Sequence, residues 1–325
     1  MRLVRQAAQR AGWWKRQARC AAALLALGAL AIGCAALEYP QPIEGIAGAP
    51  GAHGPPAGGG APARGAPARG APARPLDSYA SLRGAERSAQ LAAALRWRLM
   101  APPRPAPPPP DSKPRLRTRK GFEVDGGDAG LPPVFTGVPT KEKIVFLTID
   151  DGYEKDPAFL RMTSELRIPY SAFLSDYVIK DDYAYFRRMR DSGVTLSNHT
   201  LHHPDLRELS YAEQRREICG MQDVMAKEFG RRPTLLRPPF GNYDRDTLRA
   251  AKSCGIKAIP LWNEEIVLDR MEYRDLDKKL HPGDIVLTHF RGRGEWRGTM
   301  PDMLRNFLKE LTKQGFAVAR LEDYV

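Results

Sequence analysis

The chain has 325 residues, 29 of them proline and 29 glycine, and a formal charge of +12. That length allows about two domains and excludes a disulfide-stapled miniprotein; a single long uncharged apolar run excludes a polytopic membrane protein. The charge is unevenly placed: residues 141–325 hold 31 basic and 30 acidic groups, a net of +1. A folded domain that is nearly neutral excludes a nucleic-acid binder built on a basic surface, and no specific nucleic-acid partner is expected.

Residues 1–37 carry six basic and no acidic groups, and the stretch Cys20–Leu37 is uncharged. A basic start followed by an apolar run predicts an export signal or membrane anchor, with everything after Glu38 outside the cytoplasm. Ala31-Ile32-Gly33-Cys34 is similar to a bacterial lipobox, with Ala31 where Leu is usual, which makes Cys34 a candidate for lipidation. Membrane anchor, lipoprotein and cleaved secreted protein all stay open at this point.

Residues 38–140 hold 20 of the prolines and 15 of the glycines between positions 39 and 140, and Gly-Ala-Pro-Ala-Arg occurs three times in tandem over 60–74. Such a period supports neither helix nor sheet, so the stretch reads as a flexible Pro/Ala/Gly/Arg-rich linker. Within it, Leu76–Met100 has the composition of one short amphipathic helix.

The third region, 141–325, alternates strand-like and helix-like segments. Strands are predicted at 143–148, 171–174, 194–197, 235–237, 258–261, 285–289 and 316–319. Helices are predicted at 156–167, 180–191, 211–229, 244–254 and 301–313. Repeated βα units mean an α/β fold, and about seven strands in this length favour a small, distorted (β/α) barrel. Chemistry in such barrels sits at the C-terminal ends of strands. Cys219 and Cys254 fall in this region and are expected either to pair or to be buried thiols.

The chemically suggestive residues cluster at those strand ends. The first strand runs into Asp150-Asp151-Gly152, and two adjacent carboxylates repel unless a cation is near. The strand at 194–197 runs into His199 and His203, four residues apart and therefore on one face of a helical turn. Two imidazoles and a carboxylate suit Zn²⁺ or a similar divalent ion. Arg237-Pro238-Pro239-Phe240-Gly241 and Leu287-Thr288-His289 follow two further strands. Four of the six histidines of the chain lie at strand ends.

Together, TIDDG at 148–152, HTLHH at 199–203, RPPFG at 237–241 and LTH at 287–289 resemble, in order, the motifs of the polysaccharide deacetylase family, the NodB-homology or carbohydrate esterase family 4 domain. The resemblance covers 141–325. It implies that Asp150 is the general base, that Asp151, His199 and His203 hold the metal, and that Arg237 orients the base. It further implies that the Phe240 N–H binds the oxyanion, that Leu287 lines the pocket for the acetyl methyl, and that His289 is the general acid. Trp262 matches a substrate-facing aromatic, and His202 a neighbour of the ligands. The implied cofactor is a divalent ion, Zn²⁺ foremost, with Co²⁺ or another ion as alternatives. One stretch departs from the family: Asn263 stands where an Asp that sets the catalytic His is common, leaving Glu265 or Asp269 to substitute.

The expected function is metal-dependent removal of acetyl groups, N-acetyl groups of a cell-wall glycan above all, by an extracytoplasmic monomer attached to the cytoplasmic membrane through its N-terminal segment, or else secreted. The alternatives are an O-acetyl esterase and a non-catalytic glycan-binding protein on the same fold.

Overall fold

The computed structural model describes residues 75–325. The predicted export segment, its Cys34 and the three tandem repeats at 60–74 lie outside the described residues. No helix among the described residues is long and apolar enough to cross a membrane.

The central strand β2, as counted below, is Ile144–Asp151, and all eight of its residues are buried. Burial on both faces is what a near-continuous apolar run dictates in a parallel sheet. Counting from the N-terminus, the helices and strands used here are α1 (Pro75–Arg96), β1 (Val134–Phe135), β2, α2 (Pro157–Leu166), β3 (Ser171–Leu174), α3 (Tyr183–Asp191), β4 (Thr195–Asn198), α4 (Tyr211–Phe229), α5 (Arg245–Ser253), β5 (Ile259–Pro260), β6 (Glu264–Val267), β7 (Arg270–Tyr273), β8 (Asp284–His289), α6 (Met300–Gln314) and β9 (Ala317–Val318). The main sheet has the order β4-β3-β2-β8-β6-β7, with β9 also on β2. Every pairing in it is parallel except the β6–β7 hairpin.

The remaining side of the barrel is irregular. Leu236 bridges to Asn198, Leu235 to Ala258, and β5 pairs with β1. The predicted strand 235–237 is thus reduced to isolated bridges, and among the described residues no continuous ladder closes the sheet into a barrel. The five helices predicted within 141–325 are present with ends within three residues of expectation, and the helix expected over Leu76–Met100 runs Pro75–Arg96. Their caps explain the limits: Ser210 with Glu213 and Thr299 with Asp302 form capping boxes, and Gly230 and Gly315 close α4 and α6 in the left-handed conformation.

The odd-numbered residues Val145, Leu147 and Ile149 of β2 pack with Phe159 and Met162 of α2, Phe186 and Met189 of α3, and Met303 and Phe307 of α6. The even-numbered Ile144 and Phe146 pack with Phe135, Phe173 and Ile285 on the other face. Burying one Phe or Met side chain contributes about 1.5–3 kcal/mol. The β2 backbone, and the carboxylates at its end, are therefore held from both sides.

The segment after α1 makes side-chain contacts to residues far along the chain. The Trp97 indole donates to Glu165 at 2.7 Å, Arg104 to the Gly315 carbonyl at 2.7 Å, and Lys113 to the Glu322 carbonyl at 2.8 Å. Arg119 donates to Thr136 and Asn263. Residues 97–140 thus lie along the domain, and β1 belongs to it. Proline-rich chain lacks its own hydrogen-bond ladder but retains carbonyls and flanking basic side chains, and these find partners on the domain surface.

Candidate active site

Asp150 and Asp151 are the last two residues of β2 and occupy the strand itself rather than the turn after it. They point to neighbouring but distinct partners. Asp150 Oδ1 accepts from Arg237 Nη1 at 2.7 Å, and its Oδ2 lies 3.7 Å from His199 Nε2. Asp151 Oδ1 lies 3.5 Å from His199 Nε2 and 3.4 Å from His203 Nε2. Asp151 Oδ2 accepts from Arg291 Nη2 at 2.6 Å. Gly152 follows at φ +105°, where an added Cβ would run into Ile179 and Phe186.

Arg237 is fully buried. Its Nε donates to the Pro260 carbonyl at 2.8 Å, and its guanidinium lies over the Phe173 ring, 4.4 Å from the centroid. Burial lowers its pKa and the Asp150 carboxylate opposes that shift. The pair is mutually compensating: either charge alone would be stranded in the interior.

His199 and His203 do face each other, with ring centroids 4.8 Å apart, but not on the helical turn that the four-residue spacing predicts. Residues 199–203 are non-helical, and both Thr200 (φ +71°) and His203 (φ +59°) are left-handed. The Asn198 carboxamide and the Thr200 hydroxyl accept from the Thr200 and His203 backbone N–H groups, and local side-chain acceptors of this kind replace a helical ladder. With Asp151 (φ +78°) and Phe240 (φ +62°), four residues of this site hold a conformation that costs L-residues energy.

These residues fit a divalent cation. Asp151, His199 and His203 each offer a ligand atom within 4.8 Å of the others. Asp151 Oδ1, the oxygen facing both rings, is buried without a hydrogen-bond partner. His199 Nδ1 sits 2.6 Å from the Arg237 carbonyl, which can only accept. The proton is therefore on Nδ1, and the Nε2 lone pair points at the carboxylates, as in metal-ligating histidines. Burial, with His199 nearby, pushes the His203 imidazole down to about 3, so it is neutral and able to ligate. Burial pushes Asp151 up, but the contact to His199 and the charge of the Arg291 guanidinium prevail and hold it well below the usual carboxylate range.

His289 ends β8 beside Asp150 in register. Its Nδ1 lies 3.4 Å from Glu265 Oε1, whereas Asp269 is exposed in the β6–β7 turn. Glu265 thus occupies the place left by Asn263, which instead donates to Asp284. Leu287 is buried opposite both Thr148 and Glu265. Phe240 is 51% exposed, and its ring stands edge-on to His203 at 4.7 Å. Trp262, expected to face substrate, is half-buried: its ring packs against Gly241 and beside the Arg237 guanidinium. His202 is exposed and pairs with Glu217 at 2.9 Å, away from the ligand cluster.

Sequence reasoning missed Arg291. It lies two residues beyond His289, is largely buried, sits over the Tyr153 ring at 4.6 Å, and bonds Glu295 at 3.0 Å as well as Asp151. In the sequence Arg291-Gly292-Arg293-Gly294 nothing separates Arg291 from Arg293.

Residues 137–259 match the Polysaccharide deacetylase family. An uncharacterized protein of Streptomyces coelicolor is 42% identical over 208 residues, which is 63% of this chain and 83% of that protein. The peptidoglycan-N-acetylmuramic acid deacetylase PdaA of Bacillus subtilis is 29% identical over 57% of this chain and 72% of its own length. The fold is also that of a family 4 carbohydrate esterase pseudoenzyme from Bacillus anthracis (TM-score 0.51, 21% identity, 59% of this chain and 69% of that one). The chain belongs to the polysaccharide deacetylase family. The same fold carries a pseudoenzyme, so side chains and not the fold decide activity.

Proposed function

We propose that the protein is a metal-dependent hydrolase that removes acetyl groups from an extracytoplasmic carbohydrate, N-acetyl groups of a cell-wall glycan in the first place. The observation that carries this reading is one buried site holding three parts: the Asp150–Arg237 pair, the Asp151–His199–His203 cluster, and the His289–Glu265 pair. The name of the Bacillus subtilis relative, a peptidoglycan-N-acetylmuramic acid deacetylase, supports a wall glycan as substrate.

Amide hydrolysis adds water across the C–N bond, giving acetate and a free amine. It needs a deprotonated water, a stabilised oxyanion and a proton for the nitrogen. A divalent ion, Zn²⁺ foremost, held by Asp151, His199 and His203 would acidify a bound water and polarise the acetyl carbonyl. Asp150 takes the water proton on Oδ2, since Oδ1 is occupied by Arg237. Arg237 fixes that carboxylate in place. His289 gives its proton to the leaving nitrogen, oriented by Glu265. The Phe240 N–H adds to the oxyanion site, and Leu287 bounds the acetyl methyl. Trp262 contributes through the wall of the site formed with Gly241. The protein acts as a monomer, anchored through its N-terminal segment or by a lipid on Cys34, or secreted.

The test is acetate release from N-acetylglucosamine oligomers and isolated wall glycan, with Zn²⁺ or Co²⁺ added. Release that needs the metal and disappears in Asp150→Asn and His289→Ala is the expected result. Absence of release from every acetylated glycan, with metal bound, would sink the enzyme reading in favour of a glycan-binding protein.

A further inference from the structure

A second group of metal-type side chains lies at the opposite end of β8. Asp284 is its first residue and His289 its last, about 16 Å apart at roughly 3.3 Å per residue. Glu264, His281 and Asp284 each bring a ligand atom within 4.8 Å of the others. Glu264 is 0% exposed, and neither of its carboxylate oxygens has a hydrogen-bond donor. The nearby guanidinium groups are engaged elsewhere: Arg274 donates to the Trp262 carbonyl, and Arg119 to Thr136 and Asn263. A buried carboxylate without a donor, whose nearby Arg274 charge is bonded elsewhere, is costly, and a cation or a proton would stabilise it.

The histidine is oriented as a ligand. His281 Nε2 lies 3.1 Å from Asp277 Oδ2 and donates to it. This leaves Nδ1, which is buried and without a hydrogen-bond partner, 3.6 Å from Asp284 Oδ2 and 3.8 Å from Asp275 Oδ2. A ring nitrogen held by an acceptor, here a carboxylate and at His199 a backbone carbonyl, with the other nitrogen aimed at carboxylates, is common to both histidines. Asp284 is itself fixed by the Asn263 side chain at 2.7 Å and the His281 backbone N–H at 2.5 Å. The His281 side chain is 43% exposed, so an ion has a route in.

We propose that Glu264, His281 and Asp284 form a second divalent-cation site, distinct from the catalytic cluster, that fastens the start of β6 to the start of β8. Two carboxylates and one imidazole suit Zn²⁺ or Mn²⁺. The role is architectural: Glu264 is the residue before Glu265, and an ion on Glu264 sets the strand from which Glu265 reaches His289. The competing account is a proton. Without a cation, burial and the Asp284 and Asp275 carboxylates push Glu264 up to about 9, and a protonated Glu264 could donate to Asp284.

Metal content of the full chain separates the two accounts. After loading with Zn²⁺ or Mn²⁺ alone and dialysis, the wild type is expected to hold about two ions per chain. Glu264→Gln and His203→Ala are each expected to hold about one, and the double variant none. In the His203→Ala chain, metal at about a hundred times its Kd should raise Tm by about 5 °C or more, and Glu264→Gln should abolish the shift. His281→Gln, at a half-exposed position, repeats the test should Glu264→Gln not fold. A metal content that neither Glu264→Gln nor His281→Gln lowers, or a His203→Ala chain whose Tm ignores metal, overturns the proposal and leaves the shared proton.

Discussion

Arg291 grips one oxygen of Asp151 at 2.6 Å, while the other oxygen of that carboxylate faces His199 and His203. The two oxygens thus differ: Oδ2 is fixed by Arg291, and Oδ1 is left open between the two imidazoles.

From this follows the first prediction. Arg291→Met releases the Asp151 rotamer, and loss of such an outer partner typically costs about 10–100-fold in metal affinity. A competition titration with a chromophoric chelator should show Kd rising by that factor while the circular dichroism spectrum stays unchanged. Tighter binding in the variant would mean that the guanidinium charge mainly repels the ion.

Glu265, not Asp269, lies at His289. Glu265→Ala should lower kcat by about 10–100-fold, less than the roughly 10²–10⁴-fold that the proton transfer itself contributes, with a smaller effect on KM. Asp269→Ala, at an exposed turn position, should leave both within about twofold. Equal loss in both variants would contradict the assignment.

Cys219 on α4 and Cys254, directly after α5, are joined in a disulfide that closes a 35-residue separation. Loop-closure entropy for that length gives about 3–4 kcal/mol. The Cys219→Ser/Cys254→Ser double variant should therefore melt about 8–15 °C lower, read by thermal denaturation. A reductant that unfolds neither form and leaves the wild-type Tm unchanged would contradict this.

Asp302 caps α6 from its third position and is bonded by Arg305, whose contact, ahead of the opposing effect of burial and with Thr299 helping, lowers its pKa to about 2. The folded pKa lies below the unfolded one. The stabilisation is therefore fully present above about pH 4 and is lost as pH falls through about 2. The group is partly exposed, so solvent screening limits the effect to about 0.5–1 kcal/mol. Denaturant titrations at pH 7 and pH 2 should show Asp302→Asn less stable than wild type at the first, with most of that difference gone at the second.

Much of this protein is legible in its sequence. The apolar run that became β2, the α4 periodicity ending at Gly230, and the positions of Asp150, Asp151 and His289 at the ends of strands and of His199 just after one all follow from local pattern. Local pattern reports what the chain does to its own neighbours. Covalent order also sets which motifs precede which, and hence the family resemblance.

Other features needed the third dimension, because they depend on residues far apart in the chain. β6 and β7 read poorly because their polar residues are stabilised by partners elsewhere: Glu265 by His289, Tyr273 by Gln314. The proline-rich segment carries no periodicity, yet Arg104 and Lys113 bind carbonyls more than 200 positions away. The HxxxH spacing suggested a helical turn, but Asn198 and Thr200 side chains captured the backbone N–H groups first. Arg291 looks no different from Arg293 until folding sets it against Asp151. Sequence by itself determined the fold class and the set of chemically able residues, since these arise from local hydrophobic and turn preferences. Tertiary structure alone decided which carboxylate oxygen stays open, which glutamate serves His289 and which acids share the end of β8, because charge partnership is a property of distance in space.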